Sequence, residues 1–487
     1  MRNAPALVVV FLFLGAFIIP VAEMKFRKLV PWLVLTPALL SSSLVFVMRA
    51  RVWSEGPIRF HVGGWAPPWG IEMFVDEYTT TMLTAIFVVA VPVLLYSMAS
   101  IPHELSPHLT SRYHALNLLL LGSLCGMTMA GDIFNLYVFM EISSLAACGT
   151  ISAKGSRESV EASLRYFLLS ELGSGCILLG IAIVHTLTGH LNMGLCLESM
   201  PYAASLAPSN VAAAAGLVSI GLLVKGALFP LHIWLPDAHA AAPTPSSAIL
   251  SGLVVKVAAF ALWRVLNRAF GSEVASSLRI FDIILLMATL GIILGSALAL
   301  NQVHLKRMLA FSTVGQVAYV FLGLGLDSET AVRGAFLHLI NHAVAKACLF
   351  LSAGAIWQKL GVSSIQKMAG IGRLMPVTMV CYSLAALSMV GIPPLGGFTS
   401  KWYLAKGALE AGRPFYVLVI LVGSFLALLY TFPPLASSFF AARTDFRPVG
   451  SDGFREAPAA MLVSIVILGA ACLIMGMDSS IAAQIIR

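Results

Sequence analysis

Residues 216–248 read GLVSIGLLVKGALFPLHIWLPDAHAAAPTPSSA. The run begins as a membrane span, yet Lys225 stands inside it between apolar residues and glycine, and Pro230 and Pro236 interrupt it. Proline removes a backbone donor and breaks an interior helix. In hydrocarbon the freed carbonyls need partners inside the protein or in a water-filled cavity, so a broken membrane helix marks an ion or substrate path. A second interruption lies at Pro393 and Pro394 within Met375–Ala411, again with a lysine close by, Lys401. Paired breaks about 160 residues apart, at matching places in two groups of five spans, are the sequence sign of inverted repeats. The predicted repeats are Tyr113–Arg268 and Arg279–Phe440, each with its broken helix. N-terminal helices over 1–112 precede them and a C-terminal helix over 441–487 follows.

The rest of the chain agrees with lipid as its solvent. Of 487 residues, 59% are hydrophobic and 11% charged, with a mean hydropathy of +0.91, whereas a soluble domain carries roughly 25% charged residues. A bilayer crossing takes about 20 apolar residues, and blocks of that length recur about fourteen times, from Ala4–Val21 to Ala457–Met477. The fold predicted is therefore an all-α integral membrane protein of about fourteen transmembrane helices in one membrane domain. The first block is followed by Lys25, Arg27 and Lys28 rather than by a small-residue cleavage site, so it reads as a retained span. The longest polar interval, Arg49–Gly70, holds Gly63, Gly64, Pro67 and Pro68 and reads as a folded surface loop.

The net charge of +8 does not point to nucleic acid, because no basic run with interleaved aromatics appears. With fourteen spans, the loops after odd-numbered ones carry most of the loop lysines and arginines, among them Lys25, Arg27, Lys28, Lys154, Arg157, Lys306, Arg307, Arg443, Arg447 and Arg455. The positive-inside rule then places these loops in the cytoplasm and both termini on the other side of a cell (inner) membrane. Seven scattered cysteines without a C-x-x-C pair argue against a disulfide framework or a metal cluster.

A charge at the bilayer centre costs about 2.5–3.5 kcal/mol on insertion scales, so each intramembrane ionisable residue needs a reason. Glu141, among Phe139, Met140, Ile142 and Leu145, should face protein. Lys225 and Lys256 are the most anomalous, each enclosed by apolar residues and glycine. Burial disfavours a lysine's charge and a neighbouring acid favours it, so an acid that moves can move a proton. His338, His342 and Lys346 recur at four-residue steps, which puts them on one helical face as a stripe about 12 Å long. Histidine titrates between pH 5 and 8, so such a stripe can carry protons. Two histidines four apart can also chelate zinc, but neither an H-E-x-x-H pattern nor a cysteine pair accompanies them. Lys401 sits at the far end of this line or else snorkels to the interface. His232, Asp237 and His239 lie in the proline-rich break as auxiliary groups, serving either ions or the broken backbone. Glu171 is a further intramembrane acid without an assigned role.

Residues 131–141 read GDIFNLYVFME, 223–239 read LVKGALFPLHIWLPDAH and 242–248 read APTPSSA. Further on come LKRMLAFSTVGQ at 305–316, the stripe over 338–350 and GIPPLGGF at 391–398. These stretches resemble the antiporter-like subunits shared by Mrp-type multisubunit cation/proton antiporters, respiratory complex I and membrane-bound energy-converting hydrogenases. The resemblance runs from about Gly63 to Met477. It implies a fourteen-helix core with inverted repeats. It also implies roles: Glu141 and Lys225 as the coupling pair, Lys256 as a bridge to the centre, His338, His342 and Lys346 as the central relay, and Lys401 as the terminal proton site. Lys401, the loop Gly63–Gly70 and an end at Arg487 without a long lateral helix resemble the Mrp D-type branch.

The function expected is proton translocation along the Lys/Glu/His line, by one subunit of a cation/proton antiporter or of an energy-converting redox complex. The alternatives are a proton-pumping subunit of an NADH-quinone oxidoreductase and a stand-alone secondary transporter. Other membrane subunits are the expected partners, with a peripheral redox module or an opposing sodium gradient as the energy source, since one charge moved against 100 mV takes about 2.3 kcal/mol. This chain shows no redox-cofactor motif, and neither a cofactor nor a metal is expected in it. Sodium wants several oxygen ligands, for which Glu141, Asp132 and backbone carbonyls are the candidates, so protons are the favoured ion.

Overall fold

The computed structural model describes residues 3–26, 29–441 and 456–477. Of the basic residues behind the predicted orientation, Arg27, Lys28, Arg443, Arg447 and Arg455 lie outside the described residues.

Two apolar helices, α1 (Ala4–Phe26) and α2 (Val30–Glu55), lead into a hairpin of β1 (Ile58–His61) and β2 (Glu72–Val75). The strands pair antiparallel, with Ile58 opposite Val75 and His61 opposite Glu72. This two-stranded sheet departs from the all-helical expectation. It forms where Phe60, Phe74 and Val75 supply strand-forming side chains and the intervening glycines and prolines supply the turn. The predicted surface loop is thus shorter than expected, because Arg49–Glu55 continues α2.

The remaining chain is helical. First come α3 (Glu77–Glu104), α4 (Pro107–Met129), α5 (Ile133–Ser152), α6 (Arg157–Thr188) and α7 (Met193–Leu206). Next, α8 (Pro208–Lys225) and α9 (Trp234–Ala241) form the first broken helix. A single 27-residue span, Thr244–Phe270, follows, built from α10 (Thr244–Ile249), a π-turn over Leu250–Val254, α11 (Val255–Val265) and a second π-turn. After the short α12 (Ser272–Ser277) the order repeats: α13 (Ile280–Leu300), α14 (Leu305–Leu326) and α15 (Glu329–Leu360). The one-turn α16 (Ile371–Leu374) then precedes the second broken helix, α17 (Pro376–Val390) with α18 (Gly396–Glu410). The last two helices are α19 (Phe415–Phe440) and α20 (Ala459–Met477).

Twelve helices among the described residues are long and apolar enough to cross a membrane. α4 is missing from the twelve although it has 23 residues, because Arg112, His114, Asn117 and several hydroxyls lower its hydropathy. α17 is too short, at 15 residues, because its span is broken. Both departures from the expected fourteen arise where polar or broken helix is sheltered by neighbours.

Burial decides which helices can carry charge. α14, α15 and the Thr244–Phe270 span are enclosed almost completely, whereas α2, α19 and α20 turn most of their surface outward. The enclosed three hold Lys256, Ser312, Thr313, His338, His342 and Lys346. Small residues let their neighbours come close. A Cβ on Gly334 of α15 would meet the Leu404 backbone nitrogen of α18 at 2.7 Å, which is how α18 approaches near enough to set Lys401 beside the stripe. α3 runs the full depth of the fold, from the hairpin at Asp76 to Glu104, which accepts a salt bridge from Lys154 at 3.2 Å. Its two ends define a hairpin face and an opposite face that bears Lys154, Asp237 and Lys306.

Candidate functional site: a buried polar line

Each break places a lysine at the C-terminus of a half-helix. α8 ends on Lys225, after which Gly226 caps it and Ala227 takes a positive φ of 51°. The indole of Trp234 donates to the Val224 carbonyl at 3.0 Å and satisfies one of the freed acceptors. In the second break Lys401 does this itself, donating to the carbonyls of Met389 at 2.9 Å and Val390 at 3.0 Å, the last two residues of α17. A half-helix C-terminus carries partial negative charge, so both breaks are built to hold a cation. Lys401 is buried, also reaches the Ser424 hydroxyl at 3.0 Å, and lies over the Tyr319 ring at 4.7 Å. It therefore does not snorkel.

Around Lys225 the structure gathers a polar nest. The ammonium donates to Ser144 Oγ at 2.6 Å and to Ser170 Oγ, and lies 3.7 Å from the Glu141 carboxylate. Ser174 donates to the same Glu141 oxygen. Glu171, left without a role by the sequence, comes into hydrogen-bonding reach of Glu141 and into electrostatic reach of Lys225. Its signal was its place beside Ser170 and Ser174 on α6, which cannot be interpreted until α6 is known to pack against Glu141 of α5. Asp132, the other candidate sodium ligand, is not part of this nest. It caps α5 by accepting from the Asn135 amide at 2.5 Å, about 13 Å along the helix from Glu141. Burial and the nearby Glu72 hold its carboxyl up at about 6.

At the centre the polar groups connect through backbone and hydroxyls. The π-turn frees the Ser251 carbonyl, and Lys256 donates to it; π-turns are frequent at functional positions. Ser251 Oγ meets Thr313 Oγ1 at 2.8 Å, Thr313 donates to the Leu309 carbonyl at 2.9 Å, and Lys346 donates to that same carbonyl at 2.9 Å. Lys346 also donates to Ser312. Further along the stripe, the rings of His342 and His338 stack at 5.8 Å, and His338 Nδ1 meets Ser400 Oγ at 3.0 Å, one residue before Lys401. Both ring nitrogens of His342, and Nε2 of His338, are buried without a protein partner among the described residues. Lys256 and Lys346 therefore share a contiguous set of groups, and the stripe extends it to Lys401. No side-chain hydrogen bond among the described residues joins the Lys225 nest to Lys256.

The auxiliary residues divide. Asp237 is ion-paired with Arg165 at 2.7 Å and Arg307 at 3.3 Å at the rim of the structure, a surface cluster. His232 stacks on Phe229 at 5.1 Å and has Nδ1 unpartnered. His239 is fully buried against Phe350, with neither ring nitrogen bonded to protein among the described residues and with Lys346, Lys256 and Lys306 as its charged neighbours. Ala240 beside it lines a cavity of about 280 Å³ with Lys154, Lys306 and Arg307 on the Lys306 face.

Known proteins resemble this chain in both sequence and overall shape. The family described as NADH:quinone oxidoreductase/Mrp antiporter, TM, matches residues 130–427, which include every residue of the line. NADH-quinone oxidoreductase subunit N of Desulforudis audaxviator (strain MP104C) is 38% identical over 98% of this chain and 96% of its own length. The D-type subunit of the Na(+)/H(+) antiporter of Alkalihalophilus pseudofirmus is 30% identical over 74% of this chain and 72% of its own. Among solved structures, a chain of the membrane-bound sulfane sulfur reductase, an archaeal respiratory membrane complex, superposes with a TM-score of 0.90 at 30% identity, covering 100% of this chain and 96% of that one.

Proposed function

This chain belongs to the NADH:quinone oxidoreductase/Mrp antiporter transmembrane family, and we propose that it conducts protons sideways through the membrane along its buried polar line. It is a multi-pass, antiporter-like membrane subunit, and its relatives are subunits of multisubunit membrane complexes. The observation that carries the proton reading is the set of groups shared from Lys256 to Lys346 inside the most enclosed helices, with the histidine stripe leading on to Lys401 of α18. Lysines without acids of their own, spaced by hydroxyls, carbonyls and histidines, are equipment for passing protons between neighbours.

Protons run along the line from Lys225 to Lys256 and Lys346, are replenished from the Lys306 face through the 280 Å³ cavity and His239, cross the histidine stripe and leave by Lys401 towards the hairpin face. The Lys306 face, with Lys154 and Arg307, is then cytoplasmic by the positive-inside rule, which puts both termini outside. The two runs of three helices, a broken helix and a closing span fit inverted repeats over Tyr113–Arg268 and Arg279–Phe440, giving fourteen spans when α4 and the second broken helix are included. Sodium finds no comparable oxygen shell here, since Glu141 and Asp132 stand apart.

The Glu141 end points to a partner. Phe134, Val138 and Leu145 of α5 are exposed to the surroundings, and Glu141 shares their face with 21% of its side chain accessible. A carboxyl facing lipid at this depth is costly, so a neighbouring membrane subunit covers this face. That neighbour belongs either to an Mrp-type antiporter or to a redox complex whose peripheral module supplies the energy.

The hydroxyl link tests the reading without touching a charge. In inverted vesicles containing the assembled complex, Ser251→Ala with Thr313→Val should slow proton uptake by about tenfold, the effect of losing roughly 1.4 kcal/mol of path stabilisation. Uptake at the wild-type rate would show that protons do not pass between Lys256 and Lys346.

A further inference from the structure

The span that carries the central lysine also runs on towards the hairpin face, a second direction besides the line just described. Lys256, Phe260 and Arg264 follow at four-residue steps on the Thr244–Phe270 span, so Arg264 lies about 12 Å from Lys256 towards the hairpin face. Arg264 is fully buried. Its guanidinium donates to Thr79 Oγ1 at 2.8 Å, to the Thr128 carbonyl at 2.6 Å and to the Phe74 carbonyl at 2.8 Å, tying together the first turn of α3, the last turn of α4 and β2. None of these acceptors is a carboxylate, and the nearby Asp76 pairs instead with Arg268 at 3.3 Å. Beneath the guanidinium lies an aromatic layer: Trp263 and Phe336 at 5.1 Å, Tyr78 within 5.0 Å of both, and Phe260 at 6.0 Å from Trp263 and from Phe336.

The opposite direction looks different. Towards the Lys306 face, the groups near Lys256 are the hydroxyls of Ser251 and Thr313 and then His239, whose ring nitrogens find no protein partner among the described residues, with a cavity lined by Ala240 and Lys306 beyond. Towards the hairpin face it meets aromatic rings and a permanent positive charge.

We propose that Arg264 and the aromatic layer of Tyr78, Phe260, Trp263 and Phe336 form a plug that closes Lys256 off from the hairpin face, so that a proton at the centre leaves only through Lys401. The plug rests on the proton line proposed above and deepens it. A guanidinium keeps its proton in proteins, so Arg264 cannot act as a relay. Fixed positive groups facing a pore exclude protons and cations in the same way in other channels. The three neutral acceptors hold the charge in place without neutralising it. The phenyl rings of Phe260 and Phe336 offer water none of the hydrogen-bonding groups it would need to form a wire past it, and the rings of Tyr78 and Trp263 pack the layer closed beside them. Without the plug the proton would take this second direction, and transfer along the membrane would be lost as leak.

The test uses the assembled complex in liposomes with an imposed pH gradient and an internal pH dye. Lys401→Ala alone should abolish coupled proton movement while the membrane stays tight; if it does not, the line itself is wrong. Arg264→Gln should collapse the gradient at least about tenfold faster, the effect expected of one charge about 12 Å away at an effective dielectric near 20. The double variant Arg264→Gln/Lys401→Ala should leak as fast as Arg264→Gln, because the new route does not use Lys401. Arg264→Lys should leak as well, because a buried lysine, unlike a guanidinium, can release its proton. Should Arg264→Gln fail to assemble, Phe260→Ala with Lys401→Ala serves in its place, since it opens the aromatic layer and leaves the guanidinium's hydrogen bonds alone. A tight double variant, with Lys401→Ala inactive, would overturn the plug and leave the line standing.

Discussion

Glu141→Ala is expected to reduce proton transport by the complex at least about a hundredfold while leaving the complex assembled. The carboxylate stands 3.7 Å from Lys225, whose ammonium is buried and otherwise held by two serine hydroxyls. At an effective dielectric near 20, a pair at this separation attracts by about 4 kcal/mol, enough to decide whether Lys225 keeps its proton. Removing the acid therefore removes the means by which motion at one end changes the charge of the first lysine. Lys225→Ala should have the same effect from the other side. Assembly should survive, because the Glu141 site is partly accessible and Lys225 keeps Ser144, Ser170 and the nearby Glu171 when Glu141 is removed. A purely structural pair would give the reverse pattern: loss of the complex rather than of transport, which mild-detergent gel filtration would reveal.

Lys346→Arg should be as inactive as Lys346→Ala, and this is the second large effect. A residue that merely supplies a buried positive charge to Leu309 and Ser312 would be replaced well by arginine, which carries the same charge and more donors. A relay station must release its proton, which a guanidinium does not do. Proton uptake in inverted vesicles at matched expression distinguishes the two. Substantial transport by Lys346→Arg would make Lys346 a structural cation. Lys346→Met should leave a stable complex, because a buried charge replaced by an apolar group of similar shape is often neutral or stabilising.

How much of this could be read from the chain alone follows from where the information lies. Apolar spans, prolines inside them and lysines surrounded by leucine and valine are local violations of hydropathy, and a single stretch displays them. The breaks at Pro230 and at Pro393–Pro394, and the identity of Lys225, Lys256 and Lys346 as anomalies, were legible for that reason. Partnerships were not. Ser144, Ser170 and Ser174 look like ordinary helix serines until α5, α6 and α8 are packed, and Glu171 gains meaning only there. The π-turn that frees the Ser251 carbonyl leaves no periodicity to detect in a helix buried on all sides. Lys401 illustrates the same limit: its sequence neighbours allow an interfacial position, and only the end of α17 against α18 turns it inwards. Asp237 shows the limit from the other side: its setting in the broken helix left ions and backbone open as its role, and only Arg165 and Arg307 from elsewhere fix it at the rim.

The gap between the Lys225 nest and Lys256 is where the proton line is most exposed. Protons cross it only on water, because no protein hydrogen bond spans it among the described residues. An experimental map of the assembled complex, at a resolution that shows ordered solvent, should place waters from Lys225 to Lys256 and around the bare nitrogens of His239 and His342. A gap filled by packed apolar side chains in every state of the working complex would contradict the proton line at its root.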